Sequence, residues 1–167
     1  MRVAGLIQDS IVDGPGLRFV VFTQGCQKHC VGCHNPETWP LDEGTEMTVG
    51  EIIDDMLENP LTSGLTLSGG EPFLQAADCA KIASAARKKG LNVWVYTGYN
   101  FEELLIRAES DRSTKELLDL TDVLIDGAFI PAQRTLSLRW RGSRNQRALD
   151  AQKSVAAGKA VELAVDE

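Results

Sequence analysis

The sequence predicts an α/β protein: a partial, open β/α barrel with a mostly parallel sheet, shorter than a full eight-fold barrel. Three observations carry this. From residue 17 onward, strand-like and helix-like segments alternate, which is the pattern of right-handed crossovers between parallel strands. The chain has 167 residues, whereas a complete eight-fold barrel takes roughly 250. The unusual short stretches also fall just after strands, where parallel α/β folds bind their ligands. A single domain over residues 1–167 is expected, with its core in residues 5–150.

The elements follow in order. Residues 3–8 read as a short peripheral strand, and Asp13-Gly-Pro-Gly16 as a turn, since Gly supplies unusual dihedrals and Pro fixes one. Leu17 to Phe22 is β-branched and aromatic, the composition of a buried strand. Thr48 and Glu51 have capping-box spacing before Val49, Ile52, Ile53, Met56 and Leu57, which form one helical face that ends at Asn59-Pro60. Leu65 to Leu67 is a short strand, and residues 76–89 an Ala-rich helix closed by Gly90. Cys79 lies on its apolar face and is expected in the core rather than as a ligand. Leu91 to Tyr96 alternates as a strand does. Asn100 and Glu103 cap a helix over Phe101 to Ala108, and Thr114 to Leu120 forms another. Asp122 to Asp126 is a strand. Beyond Pro131 we expect an extended Leu136 to Trp140, a helix over Asn145 to Ala157, and a last strand over Ala160 to Ala164.

The apolar fraction is 43%, enough for a packed core. The net charge of −7 argues against non-specific nucleic-acid binding over the whole surface. No apolar run is long enough to span a bilayer; the longest near the start, Leu17 to Phe22, is interrupted by Arg18. With no signal-peptide pattern at the N-terminus, a soluble cytoplasmic protein with reduced thiols is expected, with no membrane or nucleic-acid partner. Charge is uneven. Residues 131–149 hold Arg134, Arg139, Arg141, Arg144 and Arg147, half of the arginines, and no Asp or Glu. This is either a solvated basic face or an edge that docks an anion or a partner.

Cys26, Cys30 and Cys33 fall within eight residues as C-x3-C-x2-C. Three thiolates this close repel one another unless a metal shares their charge. A 4Fe–4S cluster usually takes four cysteine ligands, so three would leave one iron open to another ligand. A zinc site completed by His29 or His34 is the competing reading. At the following strand ends stand Ser68-Gly69-Gly70-Glu71-Pro72, Tyr96-Thr97-Gly98-Tyr99 and Asp126-Gly127. Each alone is a turn; together they gather at one rim. The glycine pair lets backbone approach a ligand closely. Glu71, or the carbonyls beside it, suits an ammonium group, and Tyr96 or Tyr99 a flat ring, although Tyr96 equally suits the core.

C-x3-C-x2-C followed one strand later by Gly-Gly-Glu-Pro resembles the radical S-adenosylmethionine enzymes. The blocks Val12 to Gly16, Gly25-Cys26, Gly32 to Trp39, Leu67 to Phe73 and Arg141 to Arg147 narrow the resemblance to the glycyl-radical-enzyme activases that serve anaerobic ribonucleoside-triphosphate reductases. Gly32, where the wider superfamily usually has an aromatic residue, fits this subgroup better than the pyruvate formate-lyase activators. The resemblance implies that Cys26, Cys30 and Cys33 hold a 4Fe–4S cluster with one open iron. It implies that S-adenosylmethionine binds there, with Gly69, Gly70 and Glu71 at its methionyl amino group. Tyr96, Thr97, Gly98 and Asp126 complete the expected cofactor-binding set, and no catalytic residue beyond cluster and cofactor is expected. The implied partners are the large reductase subunit, whose glycine receives the radical, and a reduced flavodoxin or similar electron donor. Another small radical S-adenosylmethionine enzyme, pyruvate formate-lyase activator-like or deazapurine synthase-like, and a non-catalytic cluster or zinc module are the alternatives.

Overall fold

The computed structural model describes residues 1–26 and 36–165. Seven strands form one sheet: β1 (Arg2–Ser10), β2 (Arg18–Thr23), β3 (Thr45–Glu46), β4 (Gly64–Gly69), β5 (Asn92–Tyr96), β6 (Val123–Asp126) and β7 (Arg147–Asp150). Their order is β3-β1-β2-β4-β5-β6-β7. The central pairs β2–β4, β4–β5 and β5–β6 are parallel, while β1 and β7 run antiparallel to their neighbours. The sheet is open and mostly parallel, as expected.

Among the described residues, five α-helices connect and cover it: α1 (Val49–Glu58), α2 (Ala76–Lys88), α3 (Phe101–Ser110), α4 (Arg112–Leu120) and α5 (Ala151–Ala157). Their starts are set by side chains that satisfy otherwise orphaned N–H groups. Thr48 accepts from the N–H of Glu51, and Asn100 with Glu103 makes a full capping box. Asp111 accepts from the N–H of Ser113 and the hydroxyl of Thr114, so α4 begins two residues before the expected Thr114. Among the described residues no helix is long and apolar enough to cross a membrane.

The end of the chain departs from expectation. Residues 145–157 are not one helix: Arg147–Asp150 pairs with β6, and Asp150 then caps α5 by accepting from the N–H of Lys153. Leu136 to Trp140 forms no strand, but bends within a long arch between β6 and β7. Ala160 to Ala164 makes only a single bridge, Leu149 to Glu162, flanked by hydrogen bonds to Ala148 and Asp150. β1 is longer than expected and lies inside the sheet, because β3 pairs along its outer side.

Strand alternation divides the side chains between two faces. Phe19, Val21, Leu65, Leu67, Val93, Val95, Leu124 and Leu149 face the helices and form the main core with Ile52, Met56, Ile82, Leu104 and Leu117. Cys79 belongs to this core and is fully buried, and burial pushes its thiol pKa up. The opposite face carries a smaller cluster, Trp94, Val123, Ile125 and Ala148, against which Tyr96 and Trp140 pack. Arg18 is on this second face, with 0% exposure. It donates to Thr66 Oγ1 (2.7 Å) and to the carbonyls of Leu65 (2.7 Å) and Pro15 (2.9 Å), and lies 5.5 Å from the Trp94 ring centroid. Burial lowers its pKa to about 10, but the hydrogen bonds hold it in place as a cross-strand brace.

Two outcomes are expected. Arg18→Ala strands these buried acceptors and should destabilise the fold by about 3 kcal/mol or more, read from urea unfolding. Glu102 is held below its ordinary carboxyl pKa by hydrogen bonding to Arg147. Its contribution is therefore complete above the unfolded value and lost as pH falls through the folded one. Glu102→Gln should cost at most about 1 kcal/mol at neutral pH, with the gap to wild type closing in acid.

Candidate functional site

A cavity of about 450 Å³ opens at the C-terminal ends of the parallel strands, on the face away from the helices. Its size suits a small-molecule cofactor. Cys26, Ser68, Gly69, Gly70 and Glu71 contribute to its lining, as do Tyr96, Thr97 and Gly98. The structure thus brings together the ends of β2, β4 and β5 as the rim reading expected. Cys30 and Cys33, with His29 and His34, lie outside the described residues. Cys79 is on the helix side of the sheet and is no ligand at this cavity.

Cys26 is positioned by backbone. Its N–H donates to the Trp39 carbonyl (3.0 Å), and that of Gly25 to Thr38 (2.6 Å). The Gln24 side-chain amide donates to the carbonyls of Glu37 (3.1 Å) and Pro40 (2.8 Å), so both ends of the cysteine segment are pinned together. Gln75 in turn donates to the carbonyls of Gln24 (3.1 Å) and Arg2 (2.8 Å). Gln24 and Gln75 were not singled out from sequence. Nothing local marks two amides that act across the fold.

The glycine pair lines the cavity and is also required by the chain's own packing. A Cβ on Gly70 would lie 2.4 Å from the carbonyl oxygen of Gly25, and one on Gly69 would lie 2.4 Å from the Thr23 nitrogen. Gly69 also has φ +102°. The backbone that approaches so closely is the chain's own, immediately before Cys26. The N–H of Gly70 bonds to Thr23 and that of Glu71 to Gly25, each at 2.8 Å.

Glu71 is 1% exposed. Its carboxylate accepts from the Thr97 hydroxyl (2.8 Å to Oε2), the Gly98 N–H (2.7 Å) and the Phe73 N–H (3.1 Å). It ties the end of β4 to the end of β5. Asp126 is at a strand end, but it shares the helix-facing parity of Leu124. It accepts from the N–H of Phe101 (2.8 Å), and Arg147 bridges it to Glu102. The next residue, Gly127, lines the cavity; Asp126 does not. Arg147 is thereby a structural ion-pair residue rather than part of a free basic edge. Tyr96 lines the cavity while packing beside Trp140, and burial raises its pKa. Tyr99 faces the helices, with Arg107 5.4 Å over its ring.

A family model described as a 4Fe-4S single cluster domain matches residues 12–149. The chain is 36% identical over 144 residues to the anaerobic ribonucleoside-triphosphate reductase-activating protein of Escherichia coli K12, covering 81% of this chain and 90% of that one. The protein of the same name in Vibrio cholerae is 39% identical over 144 residues, covering 81% and 89%. That of Enterobacteria phage T4 is 35% identical over 142 residues, covering 81% and 85%. The chain belongs to the family of anaerobic ribonucleoside-triphosphate reductase-activating proteins.

For a member of this activating-protein family, the described part of the site is compatible with an iron–sulfur cluster. Cys26 stands at the edge of a cavity large enough for a second cofactor, and the only other described cysteine is buried on the far side of the sheet. Gly70→Ala should displace the Gly25–Cys26 backbone. We expect it to lower bound iron per chain, measured after anaerobic reconstitution, with the circular-dichroism spectrum unchanged.

Proposed function

We propose that this chain is a radical S-adenosylmethionine enzyme that installs a glycyl radical on the large subunit of an anaerobic ribonucleoside-triphosphate reductase. The observation that carries the proposal is the convergence on one cavity of Cys26, the Gly69–Gly70 backbone and the Tyr96–Gly98 strand end. Family membership supports it. In this reading the open sheet is a partial barrel of one domain, its inner face carrying Arg18, Trp94 and Tyr96.

Cys26, Cys30 and Cys33 would hold the 4Fe–4S cluster. Held there, the cluster would supply one-electron reduction of the sulfonium of S-adenosylmethionine, with a flavodoxin or similar protein as the electron source, and that chemistry would serve to remove a Cα hydrogen from the partner's glycine. The chain's own residues bind, orient and shield. The Glu71 carboxylate is already engaged by three internal donors. The carbonyls of the Gly69–Gly70 backbone therefore offer the acceptors for the methionyl ammonium, and Glu71 holds that backbone against β5. Tyr96 supplies an apolar wall, and its raised pKa keeps it an uncharged phenol. Thr97 and Gly98 act through Glu71 rather than on the cofactor. Asp126 fixes the start of α3 behind the rim.

The protein, reconstituted anaerobically with iron and sulfide and given S-adenosylmethionine and a strong reductant, should form 5′-deoxyadenosine. Cys26→Ala and Cys30→Ala should abolish it, and Cys79→Ala should retain it because that thiol is only a small core residue. A full cluster with no cleavage, even with the large subunit present, would sink the proposal.

A further inference from the structure

Two exposed lips border the cavity. One is the turn after β1, where Ile11 and Val12 are 72% and 74% exposed and Val12 lines the cavity. The other is the arch between β6 and β7, where Leu136 is 92% exposed and also lines the cavity. Aliphatic side chains this open to water, on two segments that line one cavity, mark a surface that is covered during function.

The arch is built rather than slack. The Asn145 side chain donates to the Ala128 carbonyl (2.7 Å) and that of Gln146 to Gly127 (3.0 Å). The Gln146 side-chain oxygen accepts from the N–H groups of Gly142 (2.8 Å) and Ser143 (3.1 Å). A lip held by its own hydrogen bonds loses little freedom on binding. It is also positive in a chain of net charge −7. Of its arginines, Arg147 is consumed by Asp126 and Glu102. Arg134 and Arg144 are exposed and make no ion pair with a described residue. Complementary charge beside an apolar mouth steers a partner and sets its register.

We propose that both lips together form the docking surface for the radical-accepting large subunit, which seats an acidic surface bearing aliphatic side chains across the mouth. This rests on the function proposed above, because only the protein whose glycine is attacked must send backbone into the cavity. An electron donor has no need to enter it.

The test uses Ile11→Asp and Arg144→Glu, neither of which lines the cavity, with Arg112→Glu on α4 as a charge-matched control. Affinity for the purified large subunit is measured anaerobically by biolayer interferometry. In parallel, 5′-deoxyadenosine is assayed without the partner, once with a chemical reductant and once with a reduced flavodoxin as donor. Each lip variant should weaken binding about tenfold or more, the control should bind as wild type, and all three should cleave the cofactor at the wild-type rate. Wild-type affinity in either lip variant overturns the proposal. So does a defect confined to cleavage driven by a protein electron donor, which would assign the surface to that donor. Absence of 5′-deoxyadenosine from the wild type would instead defeat the functional reading, and the binding result would be unaffected by it.

Discussion

A buried carboxylate governs the geometry of the rim. Glu71 takes hydrogen bonds from a hydroxyl and a backbone N–H on the loop after β5 and from a backbone N–H at the start of the next turn. A charge removed from water is tolerable only when donors converge on it. Here the donors come from separate segments, so those segments cannot shift independently. The same strand end presses through Gly70 onto Gly25 without room for a methyl group. Where β4 ends therefore decides where Cys26 stands.

The sheet uses its two faces for different work. The helix side is almost wholly apolar and supplies stability. The other side carries a buried arginine, tryptophans and a tyrosine, a mixture that packs less simply and needs specific hydrogen bonds to hold it. Arg18 meets that need by joining β2 to β4 through Thr66 and Leu65. The cost of burying its charge is accepted on the face where a cavity must stay open.

Much of this was legible in the sequence because it is local. Thr48 with Glu51 and Asn100 with Glu103 announce their helices within four residues, and the alternation after residue 17 gives the parallel order. β7 was not legible, because Arg147 to Asp150 becomes a strand only through its pairing with β6, more than twenty residues earlier in the chain. The same applies to Gln24 and Gln75, whose amides work across the fold. Asp126 is a different case: counting alternate residues back through Leu124 already assigns it to the helix side. The rim was legible as a gathering of strand ends; that the glycine pair there also makes room for the chain's own backbone was not, because Thr23 and Gly25 lie more than forty residues away in the chain.

The pinning of Gly25 to Thr38 and of Cys26 to Trp39 has a consequence for assembly. Bringing together the ends of a loop of about a dozen residues costs on the order of 2 kcal/mol in chain entropy. In this protein that cost is met by the folded scaffold, through two backbone hydrogen bonds and the Gln24 amide. The ends of the cysteine segment are thus joined by the chain's own hydrogen bonds, so a group held by that segment does not have to supply the closure.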